Sequence, residues 1–164
     1  LAMRGAAALA EEGWTTAAKM AESSREDRTR TLNRSGYARY DEKTAAMLGE
    51  MADKMLADYD GDLNALRAAA GRDPSQERER IKAFKGIGDV GADIFFREVQ
   101  TAWDEHFPFA DARALNAAQD LGLCPDAARL AERVPEKDFP RLLAALIRAE
   151  HAGENAEDLL AAQS

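Results

Sequence analysis

Hydrophobic positions along the chain repeat at helical spacing, and no segment shows the sustained apolar–polar alternation of a β-strand. In the longest such segment, 41–59, apolar residues recur every three or four positions. They are Met47, Leu48, Met51, Met55 and Leu56. This spacing predicts a helix with one buried face, and methionine fills such cores readily. The sequence therefore predicts an all-α fold.

Capping residues mark where several of the predicted helices begin. An alanine-rich helix is predicted over 1–13. Thr15 or Thr16 can cap the next helix, and Ser24 can cap the one after it. Asp111 precedes the apolar-periodic stretch 112–121 in the same way. The same signals predict further helices at 63–70, 94–103, 126–132 and 141–151, the last of which Phe139-Pro140 begins. Short helices joined by polar turns therefore account for most of the chain.

A turn with two glycines interrupts the helical pattern near the middle of the chain. Ile81 and Phe84 lie one helical turn apart before Gly86 and Gly88, and apolar residues resume at helical spacing from Ala92. Glycine lets the backbone take positive φ and approach a neighbour closely. The first N–H groups of the following helix point out of such a turn and can bind a phosphate oxygen. The alternative is an ordinary helix end followed by a new helix.

The residues around this turn resemble the helix-hairpin-helix motif of the endonuclease III-like DNA glycosylases. The resemblance rests on the apolar residues before the turn, on Gly-Ile-Gly at 86–88, and on the small Ala92 where two helices cross closely. It covers residues 14 to 150, with the motif at 78–97. It implies an endonuclease III-like helical fold that binds the phosphate backbone of double-stranded DNA. The residues implied in this binding are Lys82, Lys85, Gly86, Ile87 and Gly88.

The charge balance matters because duplex binding depends on neutralising phosphates. The 164 residues carry a net charge of −8, with an ordinary globular composition of 46% hydrophobic and 32% charged residues. Positive charge concentrates between 25 and 43, at Arg25, Arg28, Arg30, Arg34, Arg39 and Lys43. We predict DNA contacts there at Arg34, Arg39 and Lys43, and a merely solvated helix face is the alternative.

Length predicts one domain, 1–152, which can be two-lobed, followed by an acidic tail at 153–164. The single Cys124 excludes an intrachain disulfide and a four-cysteine zinc or iron–sulfur site. No apolar run is long enough to cross a bilayer and no secretory leader is visible. We therefore expect a cytoplasmic protein, nucleoid-associated if bacterial, with no membrane partner. The oligomeric state is not predicted.

The resemblance also has implications for bound ions and for whether the base pocket is complete. It implies a monovalent cation bound by main-chain carbonyls of the turn, at Phe84, Gly86 and Ile81, and the sequence predicts no other metal or cofactor. From the resemblance, we expect the helices that come first in this family to be absent or reduced before Leu1. Whether the chain forms a complete base pocket is therefore left open.

Two positions decide whether the chain carries out the family's reaction. Bifunctional members have a lysine four residues after the first turn glycine, which forms a Schiff base with the sugar. Val90 occupies that position, so AP-lyase activity is not expected. The second position is an aspartate after an extended segment, matched by Asp111 after 106–110. It would stabilise a cationic sugar or activate water, and the alternative is that it only caps the next helix.

Aromatic residues near Asp111 also have two interpretations. Trp103, Phe107 and Phe109 either stack on an extruded base, forming a base pocket, or belong to the core. With the aspartate retained and the lysine absent, the resemblance implies a monofunctional DNA glycosylase. Such an enzyme hydrolyses the N-glycosidic bond of a damaged base in base-excision repair. The alternative is a non-catalytic helix-hairpin-helix DNA-binding or scaffold protein, and a third hypothesis is a helical protein–protein adaptor.

Overall fold

A computed structural model describes residues 2–153, and every regular element in that range is a helix. The α-helices are, in chain order, α1 (Ala2–Glu11), α2 (Ala17–Glu22), α3 (Arg25–Arg34), α4 (Asp41–Tyr59), α5 (Leu63–Ala69), α6 (Pro74–Lys82), α7 (Asp89–Val99), α8 (Ala112–Asp120), α9 (Ala127–Ala131) and α10 (Phe139–Ala152). The predicted all-α class is confirmed for these residues. Residues 154–164 of the predicted acidic tail lie outside the described range. No helix within it is long and apolar enough to span a membrane.

The predicted caps are confirmed at atomic detail. The Thr16 hydroxyl accepts a hydrogen bond from the Lys19 amide, at 3.2 Å, and the Ser24 hydroxyl accepts one from the Asp27 amide, at 3.0 Å. Each cap satisfies an N–H group that has no partner inside the helix. These contacts span three residues, which is why the sequence alone identifies them.

Three predicted boundaries differ from the structure. Helix α7 ends at Val99 and does not reach Trp103, because the Ala102 amide bonds back to the Val99 carbonyl at 2.7 Å and tightens the chain into a turn. Helix α10 begins at Phe139-Pro140, as the sequence predicts, because proline is well tolerated in a first helical turn, and it ends at Ala152 rather than at His151. His106, predicted to be extended, ends a short 3₁₀ helix that begins at Asp104.

The chain forms two compact units, the first extending to Ile87 and the second beginning at Gly88. Helix α4 is the longest element of the first unit, and α2 and α3 pack against it. Its buried residues include Ala45, Gly49 and Ala52, whereas the predicted stripe of larger apolar residues is only half-buried. The prediction of the buried face was therefore wrong in detail. Small residues form that face because they allow the neighbouring helices to approach closely.

Arg28 explains why a small residue is needed there. Its side chain is buried, with the residue only 6% exposed, and it packs directly on Gly49. Its Nε donates to the Ala45 carbonyl at 2.9 Å, and its Nη1 donates to the carbonyls of Met20 and Ser23 at 2.9 and 2.6 Å. These last two carbonyls lie at the C-terminal end of α2, where a cation is favourable. Arg28 therefore joins three helices and does not belong to the surface predicted to contact DNA.

The second unit has its own core, in which α8 and α10 pack on each other. Its buried members are Ala114, Ala117, Ala118, Leu130, Phe139, Leu143 and Leu146. Helix α7 also contacts α10. This packing fixes the start of α8, where Asp111 lies.

Candidate nucleic-acid interface and candidate catalytic carboxylate

The first half of the glycine turn is supported by α4. Gly86 has φ of +90°, a conformation that residues with a side chain rarely adopt. A Cβ atom at Gly86 would also lie 2.8 Å from the Met47 sulfur, which is too close. The Lys54 ammonium lies 5.9 Å from the centre of the Phe84 ring. Both the backbone and the packing therefore require glycine at 86, as the sequence predicted.

The same side of α4 also provides a partner for the turn's lysine. The Lys85 ammonium lies 2.8 and 2.7 Å from the two carboxylate oxygens of Glu50. Positions 47, 50 and 54 lie on one face of α4, opposite the face formed by its small buried residues, because a helix turns about 100° per residue. The Lys82 ammonium lies 3.7 Å from Glu79, on α6. Both lysines that precede the glycine turn thus have acidic neighbours.

The second half of the turn differs from the prediction at Gly88. Its φ is −100°, so it does not use the positive φ expected of a turn glycine, and a Cβ atom there would meet nothing within 4 Å. Gly88 is the N-cap of α7 and provides no side-chain hydrogen bond to the helix. Gly88, Asp89 and Val90 are exposed, and Val90 is 73% exposed. The start of α7 is therefore exposed, and its N-cap residue contributes no side-chain hydrogen bond.

The predicted contacts at Arg34, Arg39 and Lys43 lie on the first unit, between the end of α3 and the first turn of α4. Arg34 pairs with Glu12 at 3.0 Å, and the Arg39 guanidinium lies over the Tyr40 ring at 5.3 Å. Lys43 is exposed. Their role in DNA binding stays a prediction.

Two carbonyls predicted to bind a monovalent cation already accept backbone hydrogen bonds. The Ile81 carbonyl accepts from the Phe84 amide at 3.2 Å, and the Phe84 carbonyl accepts from the Ile87 amide at 3.1 Å. Each carbonyl keeps a second lone pair, so this geometry leaves the cation a prediction. Within residues 2–153, no three histidine, cysteine, aspartate or glutamate side chains come together as a metal site requires.

Asp111 caps α8, as predicted, and is also part of an ion pair. One carboxylate oxygen accepts from the Ala114 amide at 2.8 Å, and the other lies 2.8 Å from Nη1 of Arg97. Asp111 is 6% exposed and the Arg97 side chain 12%, so water screens their attraction poorly. A guanidinium at this distance cancels much of the negative potential that a cationic sugar would need.

Gln100 fixes the extended segment that leads to Asp111. It is fully buried. Its amide nitrogen donates to the carbonyls of Arg97 and Phe109, at 2.7 and 3.0 Å, and its amide oxygen accepts from the Phe109 amide at 2.9 Å. Sequence reasoning missed both Arg97 and Gln100. A signal existed for Gln100, because it continues the spacing of the apolar positions Ala92 and Phe96 along α7.

The predicted base-pocket aromatics pack against other aromatic rings. Trp103 is buried and meets Phe95 edge to face at 5.5 Å. Phe107 packs in the same way on Phe139 at 5.7 Å, and Phe109 lies 6.4 Å from Phe96. Trp103 therefore fits the core interpretation, whereas Phe107 and Phe109 are half-buried. Stacking on a base stays a prediction for these two.

Comparisons with known proteins give no match: no family model, no curated protein and no solved structure is significantly similar to this chain. The helix-hairpin-helix resemblance therefore rests on the sequence features that define it.

Proposed function

We propose that this chain is a helix-hairpin-helix protein that binds the phosphate backbone of DNA. The proposed contacts are the start of α7, at 88–91, and Lys85 in the preceding turn. The observation that carries the proposal is the exposed start of α7, where Gly88 of the Gly86-Ile87-Gly88 turn is an N-cap with no side-chain hydrogen bond to the helix. Its first N–H groups have no acceptor inside the helix, and the helix dipole favours an anion beside them. A phosphate oxygen is a suitable acceptor for these groups.

Two features limit the affinity that this segment can provide. Asp89 places a carboxylate in the first turn of α7, where it repels a phosphate, and Lys85 is already paired with Glu50. The net charge of −8 adds long-range repulsion. We therefore expect weak binding that decreases steeply with salt concentration.

The ion pair at Asp111 affects base release but not the proposed DNA binding. Stabilising an oxocarbenium-like sugar requires a carboxylate whose charge acts on the substrate. In this chain that charge is shared with Arg97 at 2.8 Å, inside a poorly exposed environment. The geometry therefore supports the non-catalytic alternative better than the glycosylase.

A glycosylase is the second candidate, and the segment before Asp111 favours it. Gln100 fixes the main chain at Phe109 by hydrogen bonds in both directions, which holds the following aspartate in one position. Catalytic groups need such fixed placement. Each carboxylate oxygen also keeps a lone pair beyond its present hydrogen bond.

Gly88→Asp tests DNA binding without damaging the fold. The new carboxylate has free space and would cap α7, accepting hydrogen bonds from the N–H groups proposed to bind phosphate. We expect a loss of affinity of about tenfold or more, with thermal stability unchanged or slightly higher. The measurement is fluorescence anisotropy on intact duplex and on duplex with an abasic-site analogue. Gly88→Ala is the matched control and should bind like wild type.

Equal binding by wild type and Gly88→Asp would refute the proposal and favour a protein–protein adaptor. Base release is measured separately, on duplexes that carry single damaged bases. Release by wild type that disappears in Asp111→Asn, with DNA binding retained, would establish the second candidate. Absence of release from every duplex favours the non-catalytic protein.

A further inference from the structure

The positive charge of Lys85, which the proposed function uses to bind a DNA phosphate, is already paired with a carboxylate of the protein. Its ammonium lies within 2.8 Å of both carboxylate oxygens of Glu50. Both side chains are exposed, Lys85 by 64% and Glu50 by 48%. The pair is therefore accessible to a competing anion and is not locked by burial.

Packing between α4 and the turn brings Glu50 to this position. Glu50 lies on the face of α4 that also carries Met47, whose sulfur packs against Gly86. Gly86 admits no side chain at this contact, so the turn and α4 have a fixed separation. This packing therefore places Glu50 on α4 beside the turn that carries Lys85.

We propose that Glu50 is an intramolecular competitor for the DNA phosphate and sets both the affinity and the salt dependence of binding. This inference rests on the proposed function of the turn. A free lysine that meets a phosphate releases a condensed counterion from DNA, which drives binding. Lys85 must first lose its contacts with Glu50, and the Glu50 carboxylate then remains close to the phosphate. Part of the gain from Lys85 is thereby cancelled.

Glu50→Gln tests the inference, because glutamine keeps the shape and removes the charge. One additional effective phosphate contact makes the slope of log K against log salt steeper by about 0.9. The gain in affinity over wild type should then be about 3.5-fold larger at about 50 mM than at about 200 mM salt. Anisotropy titrations on one intact duplex over this salt range measure both quantities.

Two further variants separate pairing from net charge. Asp53→Asn removes one negative charge from an exposed position on the same helix and leaves the Glu50–Lys85 pair in place. It should change the slope much less than Glu50→Gln. In the Lys85→Met background, Glu50→Gln should lose most of its effect, since the lysine it liberates is absent.

The outcomes are distinguishable from a failure of the proposed function. If wild type and Gly88→Asp bind DNA equally, the proposed function fails and this inference fails with it. If Gly88→Asp loses binding while Glu50→Gln leaves slope and affinity unchanged, only the inference is overturned. It is also overturned if Asp53→Asn matches Glu50→Gln, or if the effect persists in the Lys85→Met background.

Discussion

Replacing Gly49 with alanine should destabilise the protein, although helix propensity alone predicts the opposite. Alanine is favoured over glycine inside a helix by about 1 kcal/mol. A Cβ atom at position 49, however, would lie 2.5 Å from Nη2 of Arg28 and 3.1 Å from its Cζ. Helix α4 cannot move away locally because its backbone hydrogen bonds fix it, so the guanidinium must move.

The magnitude follows from the contacts that Arg28 would lose. Its Nε and Nη1 donate to three main-chain carbonyls at 2.6 to 2.9 Å. A hydrogen bond that involves a charged group contributes about 1.5–3 kcal/mol. Loss of two of them costs about 3–6 kcal/mol, and subtracting the gain in propensity leaves a net destabilisation of about 2–5 kcal/mol.

Urea unfolding followed by circular dichroism measures this free energy. Gly5→Ala is the matched control, because it is also a buried helical glycine. The closest contact of its Cβ would be a terminal methyl of Leu32 at 3.3 Å, which can shift, and the contacts with Ser35 and Tyr37, at 3.8 and 3.9 Å, are ordinary ones. It should change stability by less than about 1 kcal/mol. In an Arg28→Ala background the cost of Gly49→Ala should disappear. A Gly49→Ala protein as stable as wild type would refute the packing argument.

Two other predictions concern the first unit. A hydrogen bond to the Asp58 carboxylate raises the pKa of Lys54 above its ordinary value of 10.5. The stability that this hydrogen bond contributes is complete below pH 10.5 and is lost as pH rises through the raised pKa of Lys54. Asp58→Asn should return the pKa of Lys54 towards 10.5 in an NMR titration, and an unchanged pKa would contradict the assignment. Arg72 is exposed with φ of +56°, so Arg72→Gly should raise stability by about 0.5–1 kcal/mol in thermal unfolding, whereas Arg72→Ala should give no gain.

The caps and the turn conformation that the sequence predicted correctly depend on residues only a few positions apart in the chain. The cap at Ser24 and the positive φ at Gly86 depend on neighbours in the chain, and both are found. The prediction of a positive φ at Gly88 was wrong, because two glycines in one turn suggested two positions with that conformation. One such conformation is enough for the turn, and Gly88 starts α7 with an ordinary extended backbone.

Contacts between distant residues were not predictable in this way. Glu50 and Lys85 are 35 positions apart, and Arg97 and Asp111 are 14 apart. Charge patterning along the chain identifies many candidate pairs but does not select among them. Which charged residues form ion pairs depends on how the helices pack, and the spacing of residues along the chain does not determine that packing directly.

The ion pair of Arg97 and Asp111 determines how far the resemblance to glycosylases can extend. The charges of Arg97 and Asp111 are 2.8 Å apart, so a cation that lies much farther away than this experiences them as a dipole. The attraction of a cation to this dipole decreases faster with distance than its attraction to a lone carboxylate. Removing Arg97 would not simply restore a catalytic group, because a buried carboxylate without its partner is strongly destabilising. A hydrolytic site would need the guanidinium to turn towards another anion, and a bound phosphate is one such anion. The proposed DNA binding at the turn therefore does not depend on this ion pair, whereas base release by Asp111 would require Arg97 to move away from the carboxylate.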